Sequence, residues 1–227
     1  MRVCVLGTGV VGQALSAKMA DLGHEVMVGT RDVESLLART EGGMAGGPPF
    51  SEWIGHHPTV KVGTFAQAAA HGEVVFNATV GHASLDALGA AGAENLDGKI
   101  LVDVSNPLDF SKGMPPSLFV SNTDSLAERI QRAFPQAKVV KTLNTVNANV
   151  MVDPGQVGGG EHDVFVSGDD RAAKAEVTRI LREWFGWRRV LDLGDITSAR
   201  GAEMVLALWV RLVPAIGTWM FNLRVVT

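Results

Sequence analysis

Tyrosine is absent from this 227-residue sequence, cysteine occurs once, and positive charge is in slight deficit. Each shortage removes a class of function. Without tyrosine there is no tyrosine–lysine proton relay of the kind that short-chain dehydrogenases use. Cys4 has no partner for an internal disulfide and no cluster for zinc or iron–sulfur ligation. Its place in the first apolar run reads as a small buried hydrophobe, and a lone thiol suits a reducing compartment, so a cytoplasmic location is expected. Lys and Arg total 20 against 24 Asp and Glu, a formal charge of -4. Nucleic acid needs a basic face and is not an expected partner. No pair among the histidines has metal-ligand spacing on an expected helix, and His56-His57 reads as a solvated pair, so no metal is expected.

Long uninterrupted apolar runs are scarce too. Met1 to Met19 is broken by Gly7, Gly9 and Gly12 and lacks a small-residue cleavage site, so it reads as strand, turn and helix and not as a leader. Met204 to Phe221 has roughly the length of a bilayer span, but Arg211 and Pro214 stand near its centre. A buried or interface helix is expected there, with no membrane as partner.

What the chain has is 46% hydrophobic residues, ample for a core, arranged as alternating strand and helix patterns. Strands are expected at 2–6, 25–29, 60–62, 74–78, 99–104 and 138–143, with helices at 10–22, 33–39, 64–71, 83–91 and 125–134. That alternation implies a parallel sheet covered on both faces. The expected fold is α/β, a doubly wound, mostly parallel Rossmann sheet complete near residue 145, followed by a small C-terminal α+β domain. Residues 1–145 would then bind the nucleotide, and 146–227 would serve the acceptor or dimerisation. Residues 41–49, rich in glycine and proline, read as a mobile surface excursion.

Gly7-Thr8-Gly9-Val10-Val11-Gly12 fits the G-x-G-x-x-G pattern directly after one expected strand and before one expected helix. The first glycine permits the tight turn, the second admits a pyrophosphate to the backbone, and the third lets helix and strand pack closely. The helix start then offers free N–H groups to the phosphates. At the end of the second strand, where an acidic side chain would select NAD, the sequence has Gly29-Thr30-Arg31. An arginine fork suits a 2′-phosphate, so NADP is the expected cofactor. The preference reverses if the adjacent Asp32, and not Arg31, faces the ribose. Ala78-Thr79-Val80 and Ser105-Asn106-Pro107 follow the fourth and fifth strands, where the ribose and nicotinamide would lie, though either could be an ordinary loop.

Acid–base machinery is hard to find. His82 alone stands near the expected nicotinamide end and is the sole candidate catalytic residue for proton transfer. Hydride exchange between two redox cofactors mainly needs both rings held face to face, whereas carbonyl reduction needs a proton donor. The sequence therefore favours positioning chemistry. Two rivals stay open: an NADPH-dependent reductase of a small substrate such as a cyclic imine, and a redox sensor that binds NADP(H) without turnover.

At this point the residues resemble the reductases that move hydride between NADPH and the deazaflavin coenzyme F420. The resemblance rests on Gly7 to Gly12, Gly23-His24-Glu25, Val28-Gly29-Thr30-Arg31, Val140-Lys141-Thr142-Leu143-Asn144-Thr145, Gly168-Asp169-Asp170 and Ser198-Ala199-Arg200, which run along most of the chain. It implies NADP on the large domain, a deazaflavin or flavin against the small one, and a cleft between them. It further implies that Thr8, Val10, Thr30 and Arg31 hold the adenosine and phosphates, with Thr79, Val80 and Asn144 near the nicotinamide. Metalloreductase domains that feed electrons to membrane haem proteins carry a similar module with a related Asn-Thr-Val segment. The insertion after Glu41 and the C-terminus with Trp209 and Trp219 do not match the pattern. The apolar surface of the last helix, with Leu206, Leu208, Trp209, Leu212 and Val213, would be covered either by a homodimer partner or by packing inward over the cleft.

Overall fold

The computed structural model describes residues 1–42 and 48–227. The element order is β1 (Arg2–Leu6), α1 (Val10–Asp21), β2 (Glu25–Thr30), α2 (Val33–Leu37), α3 (Phe50–Gly55), β3 (Lys61–Thr64), α4 (Phe65–His71), β4 (Val74–Asn77) and α5 (Ser84–Ala91). It continues with β5 (Ile100–Asp103), the short pair β6 (Leu108–Asp109) and β7 (Ser117–Leu118), α6 (Leu126–Ala133), β8 (Lys138–Thr142) and α7 (Ala148–Val152). The last elements are β9 (Asp163–Ser167), α8 (Arg171–Glu183), β10 (Arg189–Gly194) and α9 (Ala199–Ile216). Of the excursion expected at 41–49, residues 43–47 lie outside the described residues. The expected six-strand sheet is present as β3-β2-β1-β4-β5-β8, every pairing parallel. The winding reverses between β1 and β4, so a crevice opens at the carboxyl ends of these strands, where ligands of open α/β sheets lie.

Strand composition explains the two-sided core. Alternate residues of β1 point to opposite faces: Val3 and Val5 join a cluster with Leu15, Val28 and Phe76, while Cys4 and Leu6 join another with Leu88, Leu101 and Ile130. Burial raises the thiol pKa of Cys4 far beyond its ordinary value and leaves it unreactive. Helix starts follow local chemistry. Thr64 and Gln67 form a capping box on α4, Ser125 caps α6 and Asp170 caps α8.

The chain beyond residue 145 continues this sheet. β9 pairs with β8 antiparallel through Lys141↔Ser167 and Thr142↔Val166, and β10 pairs with β9 in parallel. The expected boundary at 145 thus falls between two strands of one ladder. The physical reason is the connection: short α7 and two glycine-rich turns return the chain antiparallel, which needs no crossover helix, whereas α8 is long enough to carry β9 across to β10. α9 buries Leu206, Trp209 and Val210 against Leu108, Leu118 and Phe221. Inward packing therefore accounts for Leu206 and Trp209, but Leu208 remains exposed. Among the described residues no helix is long and apolar enough to cross a membrane, and no group of three or more His, Cys, Asp or Glu is placed to hold a metal ion.

Candidate functional site

The loop between β1 and α1 is shaped by what cannot fit there. Gly7 adopts φ +117°, and a Cβ at Gly12 would stand 2.1 Å from the Gly7 carbonyl oxygen, so neither position tolerates a side chain. At Gly9 nothing lies within 4 Å of an added Cβ. That glycine leaves open space and not a packed contact, as expected where a phosphate approaches the backbone. α1 begins at Val10 with no side-chain cap and no acidic residue in its first turn. Among the described residues no side chain caps its first amides, which carry the positive end of the helix dipole.

The loop opens into a cleft of about 810 Å³ lined by Thr8 to Val11 and Gln13 on one wall and by Ala78 to Gly81 and Val104 to Asn106 across the strand tips. Leu36, Arg39, Thr40 and Phe50 close one end, and Leu108 and Phe110 flank the other. Asp32 is turned away from ligand duty. Its carboxylate caps α2, accepting from the Ser35 amide at 3.0 Å and the Ser35 hydroxyl at 2.7 Å, and these bonds hold its pKa below the ordinary carboxylate range. The acceptor that an NAD-type reading needs is thus engaged in a helix cap, while Arg31 stands exposed beside it.

Behind the cleft lies a fully buried charge cluster. The Lys141 ammonium donates to Asp103 Oδ2 at 2.8 Å and to the Ser105 carbonyl at 2.6 Å, and stands 3.0 Å from Glu203 Oε1. Burial opposes the charged lysine, but the negative charges and hydrogen bonds of Asp103 and Glu203 outweigh it and raise its pKa. Glu203, on α9, also accepts the Leu126 and Ala127 amides at the start of α6. Asp103 Oδ1 accepts from the Ser105 hydroxyl at 2.7 Å and from Asn77 Nδ2 at 2.9 Å, and Asn77 Oδ1 accepts from the Thr79 hydroxyl at 2.6 Å. Thr79 and Ser105, both cleft residues, are thus held in place from behind.

Comparison with known proteins agrees with this geometry. The family model described as NADP oxidoreductase coenzyme F420-dependent matches residues 2–107. The F420-dependent NADP reductase of Methanothermobacter marburgensis is 28% identical over 218 residues, covering 93% of this chain and 92% of that protein. A crystal structure from Arthrobacter sp. FB24, provisionally described as an F420-dependent NADP reductase, is 58% identical, covers all of both chains and superposes with a TM-score of 0.95. The chain belongs to the F420-dependent NADP oxidoreductase family. Metalloreductase STEAP3 of Rattus norvegicus is 31% identical over 219 residues, which is 94% of this chain but 37% of that longer protein.

As a member of this family the protein is an NADP-dependent oxidoreductase, and the residues present fit the dinucleotide: an uncapped helix start, space at Gly9 and a committed Asp32. Of the residues expected at the site, Thr8, Gly9, Val10, Val11, Ala78, Thr79, Val80 and Asn106 line the cleft. Gly7 and Gly12 shape it from beneath, and Thr30 and Arg31 stand at the end of β2 outside its lining. Asn144 is a buried brace, donating to Asn106 Oδ1 at 3.1 Å and to the Ala202 carbonyl at 3.0 Å. His82 is exposed and is not among the lining residues. Among the described residues the lining of this cleft runs from Thr8 to Phe110, all of it from the part of the chain expected to bind the nucleotide. Sequence reasoning missed Gln13, whose amide donates to the Thr8 carbonyl at 2.9 Å, and also Arg39, Phe50, Leu108 and Phe110. Gln13 was within reach, one turn into the helix after the glycine motif, whereas the others carry no motif.

Proposed function

We propose that this oxidoreductase moves hydride between NADP(H) and a deazaflavin, coenzyme F420, or a flavin-like acceptor, by holding two rings face to face. The observation that carries this reading is the composition of the cleft beyond the glycine loop. Its walls there are Val80, Val104, Leu108 and Phe110 with the neutral Thr79, Ser105 and Asn106, and among the described residues no ionisable side chain lines this part. Apolar walls suit a flat ring system, and the lack of a titratable group fits a transfer that needs no proton from the protein. NADPH supplies the hydride. Thr79 and Ser105 are held by Asn77 and Asp103, which fixes the platform beneath the reacting ring without placing an acid there.

The decisive experiment is NADPH oxidation followed in parallel with a deazaflavin, a flavin and a cyclic imine. Turnover with the deazaflavin or flavin is expected. Turnover with the imine alone would replace this reading by that of a small-substrate reductase, and tight NADPH binding with no turnover on any acceptor would point to a sensor.

The same reading includes a homodimer in a reducing, cytoplasmic setting that suits the buried thiol of Cys4. Leu208, Ile216 and Trp219 are half exposed along and just beyond α9, an apolar strip of the kind a second copy covers. Sedimentation of the wild type is expected at twice the 24.0 kDa chain mass, and Leu208→Glu should shift it to the monomer. A wild-type monomer, or a variant that stays dimeric, would remove α9 from the interface.

A further inference from the structure

The end of the cleft closed by α2 and α3 holds an arginine that the G-x-G-x-x-G and strand-end logic does not reach. Arg31, the expected 2′-phosphate ligand, stands outside the lining, whereas Arg39, beyond the far end of α2, is part of it. We propose that Arg39 is a specificity-determining residue, the second arm of a two-arginine clamp on the adenosine 2′-phosphate of NADP(H). This rests on the NADP reading of the site and adds to it which residue sets the preference.

The case comes from backbone, charge and position together. The main chain of Arg39 is pinned on both sides: its amide donates to the Leu36 carbonyl at 3.3 Å, and its carbonyl accepts from the Ser51 hydroxyl at 3.0 Å. The side chain leaves this fixed point exposed, at the lip of the cleft. α2 is only five residues long, so the two arginines flank a helix spanning roughly 7.5 Å, a distance two long side chains can bridge. The charge of Arg39 also reaches the turn at Arg31. Ser35 hydrogen bonds are the main cause of the depressed Asp32 pKa, and the Arg39 charge adds to it.

A phosphate monoester carries about 1.5 to 2 negative charges near neutral pH, more than one guanidinium balances. The same lip also includes Glu41, whose carboxylate would repel a phosphate. With the Asp32 and Glu41 carboxylates close by, one arginine alone would leave a net negative receptor; a second arginine cancels that excess and adds a second planar fork.

The test uses fragments of the cofactor, so that neither hydride chemistry nor acceptor identity enters. Binding of adenosine 2′,5′-bisphosphate and of adenosine 5′-monophosphate would be measured by calorimetry on the wild type, Arg39→Ala, Arg39→Lys and Arg31→Ala. Arg39 is exposed, and unchanged thermal unfolding would confirm that its variants fold. Arg39→Ala is expected to weaken the bisphosphate about tenfold and the monophosphate less than twofold. Arg39→Lys should recover only part of the loss, because a point charge replaces a fork. Equal weakening of both ligands by Arg39→Ala, or no change in either, would overturn the clamp while leaving the 2′-phosphate site with Arg31 alone. Indifference of the wild type to the 2′-phosphate would instead overturn the NADP reading of this strand end, and the clamp with it.

Discussion

Lys141→Met is expected to cost about 3–5 kcal/mol of folding stability, the range for breaking a buried ion pair by removing one partner. In a chain of this size that lowers the melting temperature by roughly 10 °C. The side chain has no solvent exposure, nor does that of Asp103, and Glu203 has almost none. Without the ammonium, two carboxylates face each other with no water to screen them. Urea unfolding of wild type and variant measures the loss, and a difference under about 1 kcal/mol would show that the cluster is already neutralised in some other way. Adding Glu203→Gln to Lys141→Met should recover part of the stability, because one of the stranded charges is then gone. The lysine pKa is raised in the folded state, so its contribution is complete at neutral pH and is lost only as alkali carries the solution past that raised value.

The second large effect separates two glycines of the same motif. Gly9→Ala should leave thermal stability unchanged, since nothing stands within 4 Å of the added methyl group, yet weaken NADPH roughly ten- to hundredfold. That corresponds to one charge-assisted contact of about 1.5–3 kcal/mol. Gly12→Ala should do the reverse and damage the fold, because its methyl would lie 2.1 Å from the Gly7 carbonyl oxygen. Overpacking of this kind costs about 1–3 kcal/mol or more. Melting curves paired with NADPH titrations distinguish the two, and a Gly9 variant that melted early while binding normally would contradict the proposed approach of a phosphate to that backbone.

The parts of the fold legible from sequence are those whose signals are local and periodic. β1, α1 and β2 were readable because a β-branched run, three spaced glycines and a second apolar run leave few alternatives. β6 and β7 have two residues each and therefore no period to detect, yet β6 and the residue after it deliver Leu108 and Phe110 to the cleft. The destination of the C-terminal strands was illegible for a different reason. Whether β9 starts a new sheet or adds to an old one depends on which edge is unpaired, a long-range fact that residues 163–167 do not encode. Lys141 and Asn144 were visible as a motif, but their partners Asp103, Glu203, Asn106 and Ala202 lie dozens of residues away. Pairing was therefore invisible where composition was not. Asp32 shows the same limit at short range: Ser35, three residues on, decides whether its carboxylate serves a helix or a ribose.

Because β9 hydrogen-bonds to β8, and Glu203 completes the charge cluster under the cleft, a protein cut after residue 145 would display a bare strand edge. It would also strand Lys141 with half its counter-charge. Such a fragment would be sticky and poorly ordered where the coenzyme sits, so the nucleotide-binding part cannot be moved as a cassette into a fusion without the rest of the chain.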